Sequence, residues 1–299
     1  MLMPNTHLTL PPANEFGHDC CRLLHGRGGQ FARFEHLAID WFAPVLLVTF
    51  YAESDLDAAL LDDLLARAEA APEIAAIVVQ RRHLRGAPKQ TIYGQLPADP
   101  TAGEAGLRYH LTLDRNRNHG FFLDMRPGRE WVREAGVGKR VLNLFAYTCS
   151  LSVAAIAGGA AAVVNLDMAG GALSTGRKNH RLNFDAETCR RASYLPHNLF
   201  KSWGRLKRSA PYDVVLIDPP SKQLGSFIAE EDYPKIIRRL DELTQPDSEI
   251  LACLNSPHHD EGFLMEMFDG YQFQRRLPAA PGFADRDPGA ALKCLLFTP

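Results

Sequence analysis

Three features of the sequence predict an α/β fold, a Rossmann-like parallel sheet with an antiparallel last strand, preceded by a small α+β domain. From Lys139 onward, short apolar runs alternate with helices of about a dozen residues, the rhythm of stacked βαβ units. Val214 to Ile217 is a continuous, β-branched-rich run, as expected of a central strand covered on both faces. Near the end, Gln272 to Leu277 and Ala291 to Phe297 flank a Pro/Gly/Asp-rich turn, so the final strand returns antiparallel to its neighbour.

The elements follow in order. Residues 1–35 are rich in Pro, Gly, Asn and His and predict an irregular leader. In 36–115 a small α+β domain is expected. Val45 to Tyr51 and Ile74 to Gln80 read as strands. Leu56, Ala59, Leu60, Leu64 and Ala68 share a helical face that Pro72 closes, and Leu107 to Leu113 alternates apolar with polar. In 116–299 the Rossmann-like domain is expected, with strands at Val141 to Phe145, Ala161 to Leu166, Ala192 to Leu195, Val214 to Ile217 and Ile250 to Leu254. Its helices are expected at Ser150 to Ala157, Ala172 to Asn183, Asp232 to Leu243 and Glu261 to Phe268.

The chemistry concentrates where these strands end. Pro219 and Pro220 have no backbone N–H, so the ladder stops and Asp218 is delivered to the carboxyl edge of the sheet, where open α/β folds bind ligands. Asn143-Leu144-Phe145-Ala146-Tyr147-Thr148-Cys149-Ser150 after the first strand is a turn of small and polar residues, with Ser150 the expected helix N-cap. It is not G-x-G-x-x-G, so a pyrophosphate cofactor is disfavoured. Asp167 follows roughly twenty residues later, the position of a ribose-binding carboxylate.

The bulk numbers bound the function. The composition, 46% hydrophobic and 23% charged over 299 residues, is that of an ordinary soluble chain. No run reaches the roughly 18 to 20 apolar residues of a bilayer span and no secretory signal is evident, so no membrane and a cytoplasmic location are expected. The six cysteines form no C-x-x-C pair, so reduced thiols and no metal are expected. A net charge of −2 does not announce a nucleic-acid binder, yet two basic clusters stand out. One is Arg81, Arg82, Arg85 and Lys89. The other is Lys201, Arg205, Lys207 and Arg208 around Trp203, where cations and an aromatic suit phosphates and a stacked base.

His119-Gly120-Phe121-Phe122-Leu123-Asp124-Met125-Arg126, the Asn143 to Ser150 turn, Asp167-Met168 and Asp218-Pro219-Pro220-Ser221 together resemble S-adenosylmethionine-dependent methyltransferases that modify bases of 23S ribosomal RNA. The resemblance is to the large-subunit cytosine-C5 enzymes and the guanine-N7 half of a fused enzyme, over about residues 105–299. It implies a class I methyltransferase sheet, S-adenosylmethionine as cofactor and ribosomal RNA as partner, with the 36–115 domain a substrate-binding one that helps hold the RNA. Phe121, Asp124 and Arg126 would line a segment closing over the cofactor, and Asn143, Phe145, Tyr147 and Thr148 would surround its methionine part. Asp167 would take the ribose, with Met168 and Asn198 at the adenine. Asp218, Pro219, Pro220 and Ser221 would face the methyl group and target base, and Lys201, Arg205, Lys207 and Arg208 would hold RNA.

Two departures narrow the reading. Relatives carry glycine where Cys149 stands, which sets a thiol near the cofactor. Asn255 stands where the cytosine-C5 enzymes carry their nucleophilic cysteine, and C5 is too weak a nucleophile unless a thiolate first adds to C6. Cys253, two positions away, reads as an inert core thiol. The expected function is therefore methylation of a ribosomal RNA base, with a ring or exocyclic nitrogen favoured over cytosine C5. The alternatives are a methyltransferase for a small molecule or protein and an inactive RNA-binding module. The missing glycine fingerprint discounts a nicotinamide oxidoreductase.

Overall fold

The computed structural model describes residues 10–220 and 227–299, which divide into two compact units. Of these, the residues up to Leu123 together with 281–286 form the first and those from Asp124 to Ala280 together with 287–299 the second, so the division falls at 123/124 rather than the expected 115/116.

The first unit is a mixed sheet of β1 (Cys21–His25), β2 (Leu37–Phe42), β3 (Val45–Phe50), β4 (Ala76–Arg81) and β5 (Lys89–Gly94), in that spatial order. The helix α1 (Asp57–Ala70) makes the crossover that sets β3 and β4 parallel, and β6 (Thr101–Glu104) and β7 (Leu107–His110) form a separate hairpin. β2 and β3 are buried at every position, and α1 adds Leu60, Leu64 and Ala68 to their core. The expected irregular leader is corrected here, because β1 lies inside it. β1 has no apolar alternation of its own, only Leu24 being fully buried. It is a strand because β2 offers it a partner, with a bulge between Arg22 and Leu24. The basic cluster at 81–89 is partly structural. Lys89 Nζ donates to the carbonyls of Thr112 (2.8 Å) and Arg115 (3.0 Å), and Arg82 donates to that of Arg117 (2.8 Å).

The second unit opens with α2 (Arg126–Ala135) and continues through β8 (Arg140–Leu144), α3 (Ser150–Ala157), β9 (Ala162–Leu166), α4 (Gly170–Asn183), α5 (Ala186–Cys189) and β10 (Ala192–Leu195). It ends with α6 (Trp203–Lys207), β11 (Val214–Ile217), α7 (Ala229–Ile237), β12 (Glu249–Leu254), α8 (Glu261–Met267), β13 (Gln272–Arg276) and β14 (Lys293–Thr298). Among the described residues these give a seven-stranded sheet in the order β10-β9-β8-β11-β12-β14-β13, parallel through β12 and antiparallel at β14. The Rossmann-like sheet with its antiparallel ending is thus the one expected. Apolar clusters cover both faces, one including Leu142, Leu144, Val215 and Ile217, the other Val141, Val214 and Leu216. Chain order reverses between β8 and β11, the switch point at which such sheets open a crevice.

The helix expected over Asp232 to Leu243 is shorter and starts earlier. It ends at Ile237, and a separate 3-10 turn covers Leu240–Glu242. Asp232 accepts from the backbone N–H of Ile228 at 2.8 Å and so pins the entry to this helix. Among the described residues no helix is long and apolar enough to cross a membrane.

Candidate active site

The carboxyl edge of the second unit gathers the predicted residues strand by strand. After β8 the chain turns through Phe145, Tyr147 and Cys149 at φ of 58°, 46° and 62°, a left-handed conformation unusual for residues other than glycine. Cys149, not Ser150, occupies the cap position, and α3 starts at Ser150, which correspondingly makes no cap. Three bonds support the strained turn. Ala146 N–H donates to Leu166 O (3.0 Å), Tyr147 N–H to Asp167 Oδ2 (2.8 Å), and Asn179 Nδ2 to Thr148 O (2.9 Å). Strain of this kind costs on the order of 1 to 3 kcal/mol per residue and persists where the surroundings over-determine it.

The Cys149 side chain is absorbed by the helix opposite. A Cβ on Gly176 of α4 would lie 2.4 Å from Cys149 Sγ, so the missing side chain at 176 makes room for the one at 149. Burial pushes this thiol well above its ordinary pKa, with the nearby Asp167 charge adding to the shift. Gly176→Ala is expected to destabilise the protein by about 1 to 3 kcal/mol by overpacking. Cys149→Gly should restore most of that loss, because it removes both the clash and a left-handed non-glycine residue. Urea denaturation of the two single variants and the double one measures the coupling, and additive losses would refute complementarity.

Asp167 ends β9 half-buried, each carboxylate oxygen accepting one backbone N–H, from Tyr147 and from Ala169 (2.7 Å). Each oxygen keeps a second lone pair. Met168 beside it is 54% exposed and receives the Asn198 amide at 3.4 Å, so these two residues meet. Asn198 Oδ1 and Asn143 Oδ1 are buried without a hydrogen-bond partner among the described residues.

Asp218 follows β11 directly at the switch point, and part of its surface stays accessible. Desolvation, with the Asp124 charge adding and the Arg129 guanidinium opposing, raises its carboxyl to about 7. Asp124 belongs to the turn Leu123–Met125 and Arg129 to the buried face of α2. Arg126 opens that helix with an ion pair to Glu130 (2.8 Å), and Phe145 packs edge-on to Phe227 at 5.2 Å. Pro219 is buried and Pro220 half-buried, while Ser221 lies outside the described residues. Phe121 lies in the first unit, its ring centroid 4.5 Å from that of Tyr109.

Beyond β12, Asn255 is exposed. Cys253, on the strand, is buried, with its Sγ 3.7 Å from Cys294 Sγ and its carbonyl accepting from Tyr233. Burial and Cys294 push this thiol well above its ordinary pKa, and the residue is part of a buried apolar cluster.

The second basic cluster is partly regrouped. His197, Asn198, Lys201, Ser202, Arg205 and Arg208 are among the residues lining a cavity of about 430 Å³. Arg205 Nη1 donates to His197 Nε2 at 2.8 Å, which makes that nitrogen an acceptor. Lys207 is outside the cavity and pairs with Glu242 at 2.5 Å. Trp203 is buried under Arg239, 5.1 Å from its ring centroid, so it offers no face for a base. The sequence did not foretell His197, which lies next to Asn198 in the only clue, His197-Asn198.

The sequence profile of the family described as S-adenosylmethionine-dependent methyltransferase matches residues 21–298. The chain belongs to that family. Among methyltransferase relatives, a ribosomal RNA large subunit methyltransferase of Deinococcus radiodurans is 32% identical over 222 residues, 70% of this chain and 52% of the relative. Ribosomal RNA large subunit methyltransferase K/L of Hahella chejuensis is 30% identical over 240 residues, 73% of this chain and 32% of the relative. The chain thus spans about half or less of the length of these relatives. A solved S-adenosylmethionine-dependent methyltransferase from Streptococcus mutans superposes with a TM-score of 0.79 at 24% identity, over 94% of this chain and 75% of that one. A methyltransferase crystallised with S-adenosylhomocysteine superposes at 0.80 and 24% identity, over 96% and 77%. These two likenesses establish the class I methyltransferase fold.

The family's cofactor is S-adenosylmethionine, and the residues present suit it. An ammonium, two ribose hydroxyls and an adenine amino group are donors, and Asn143 Oδ1, Asp167 and Asn198 Oδ1 are acceptors.

Proposed function

We propose that this methyltransferase acts on a ring or exocyclic nitrogen of a ribosomal RNA base. The observation that carries the nitrogen assignment is the pair of residues at the end of β12, an exposed Asn255 and a thiol at Cys253 that burial keeps protonated. A carbon acceptor requires a thiolate there, whereas a nitrogen brings its own lone pair. RNA is supported by the names of the relatives and by the cation-lined cavity. An RNA substrate and a cytoplasmic location are consistent with each other.

Bound S-adenosylmethionine supplies an electrophilic methyl group on a sulfonium. Asn143, Phe145, Tyr147 and Thr148 surround its methionine part, Asp167 holds the ribose, and Met168 and Asn198 flank the adenine. Asp124 and Arg126 lie at the opening of the second unit, where the closing segment begins; Phe121 is the family residue expected with them. Asp218, ionised, accepts a hydrogen bond from an amino group next to the attacking nitrogen and offsets positive charge developing there. Pro219, Pro220 and Asn255 shape the walls for the base and keep water out. Catalysis is then chiefly orientation.

The test is methylation of unmodified ribosomal RNA fragments with methyl-labelled cofactor, followed by nucleoside mass spectrometry. An N-methylated nucleoside is expected, together with no covalent adduct on RNA containing 5-fluorocytosine. A trapped adduct that disappears in Cys253→Ala would return the assignment to cytosine C5.

A further inference from the structure

A continuous buried hydrogen-bond chain runs from β8 to α4 beneath the candidate cofactor turn. Asn143 and Asn165 are register partners on β8 and β9, so their side chains share a face of the sheet. Asn143 Nδ2 meets Asn165 Oδ1 at 2.9 Å, and Asn165 Nδ2 meets Ser152 Oγ at 3.0 Å and Ser193 O at 3.2 Å. Ser152 Oγ meets His180 Nε2 at 3.0 Å, and His180 Nδ1 meets Gly176 O at 2.8 Å. Asn143 is 1% exposed, and Ser152, Asn165 and His180 are fully buried.

The two backbone carbonyls settle every role in this chain. A carbonyl only accepts, so the Asn165 atom facing Ser193 O is the amide nitrogen and the proton of His180 is on Nδ1. Burial lowers the His180 pKa and keeps the ring neutral, which leaves Nε2 an acceptor for the Ser152 hydroxyl proton. Ser152 Oγ in turn accepts from Asn165 Nδ2, and Asn165 Oδ1 accepts from Asn143 Nδ2. Asn143 is therefore held with Nδ2 towards Asn165 and Oδ1 as its remaining acceptor, a buried atom that has no partner among the described residues.

We propose that Asn165, Ser152 and His180 are positioning residues that lock the Asn143 amide so that Oδ1 receives the α-ammonium of the cofactor's amino-acid part. The proposal rests on the cofactor reading above. Reversing the amide would aim two N–H donors at a cation, so a fixed orientation selects for the charged end of the ligand. Nothing in the chain touches the reacting atoms, and its effect is confined to binding.

Calorimetry with S-adenosylhomocysteine and with 5′-methylthioadenosine tests this, since the second ligand keeps the nucleoside and lacks the amino acid. In Asn165→Leu, which removes the acceptor for Asn143 Nδ2 at similar volume, affinity for S-adenosylhomocysteine is expected to fall about tenfold. Affinity for methylthioadenosine should stay within about twofold. Ser152→Ala, a milder change, should show a smaller loss with the same selectivity, and unchanged methylthioadenosine binding certifies its fold. Parallel losses for both ligands, or no loss for either, would overturn the proposal. Wild-type protein that binds neither ligand would overturn the cofactor reading and the lock with it, an outcome visible before any variant is measured.

Discussion

Asp218→Ala is expected to lower turnover on the order of a hundredfold or more, with little change in cofactor affinity. The residue follows a fully buried strand at the switch point of the sheet, and two prolines fix the exit of the chain, so its carboxylate is held rather than free to adjust. A displaced acceptor misorients the base, and orientation is most of what a nitrogen acceptor needs. The pH profile separates charge from shape. Because burial and Asp124 raise the carboxyl to about 7, ionisation is completed only above neutrality. Turnover should therefore climb through pH 7 and level off. The sign for stability is opposite. A pKa raised in the folded state contributes stability that is fully present below the unfolded value near 4 and is lost as pH rises through about 7. Asp218→Asn keeps an acceptor and removes the titration, so its turnover should be flatter with pH and its stability should gain on wild type above neutrality. An unaltered pH limb in Asp218→Asn would assign that limb to another group.

What the sequence made legible is what local pattern encodes. Parallel strands buried on both faces are continuous apolar runs, which is why β11 and β12 were anticipated within a residue or so. Asp167 and Asp218 were visible because each closes such a run. The rest depends on partners distant in the chain. β1 is a strand because β2 pairs with it, and the pairing of Lys207 with Glu242 spans 35 residues that no periodicity connects. Gly176 answers Cys149 from 27 positions away, and the chain from Asn143 to His180 draws on two strands and two helices. Trp203 looked available for stacking because its cationic neighbours are in sequence, while its ring belongs to the core.

Replacing Lys201, Arg205 and Arg208 together with alanine is expected to flatten the salt dependence of RNA affinity. These three cations line one cavity and form no ion pair among the described residues, whereas Lys207 is held by Glu242. Each single-stranded phosphate contact contributes about 0.7 to the slope of log affinity against log salt, so losing three should reduce the slope by about 2. The His197 acceptor orients Arg205, and the Gly204 carbonyl accepts from Arg208 at 3.3 Å, so the cavity holds two oriented guanidinium groups rather than three loose charges. Lys207→Ala serves as the control and should leave the slope unchanged, because its ammonium is held on Glu242 outside the cavity. Cofactor affinity should be the same in both variants, since the cations bond to none of the acceptors assigned to it. A triple variant with the wild-type slope would remove the cavity from the RNA path, and a Lys207→Ala variant that lowers the slope as much would show that bulk charge, not the cavity, is being measured.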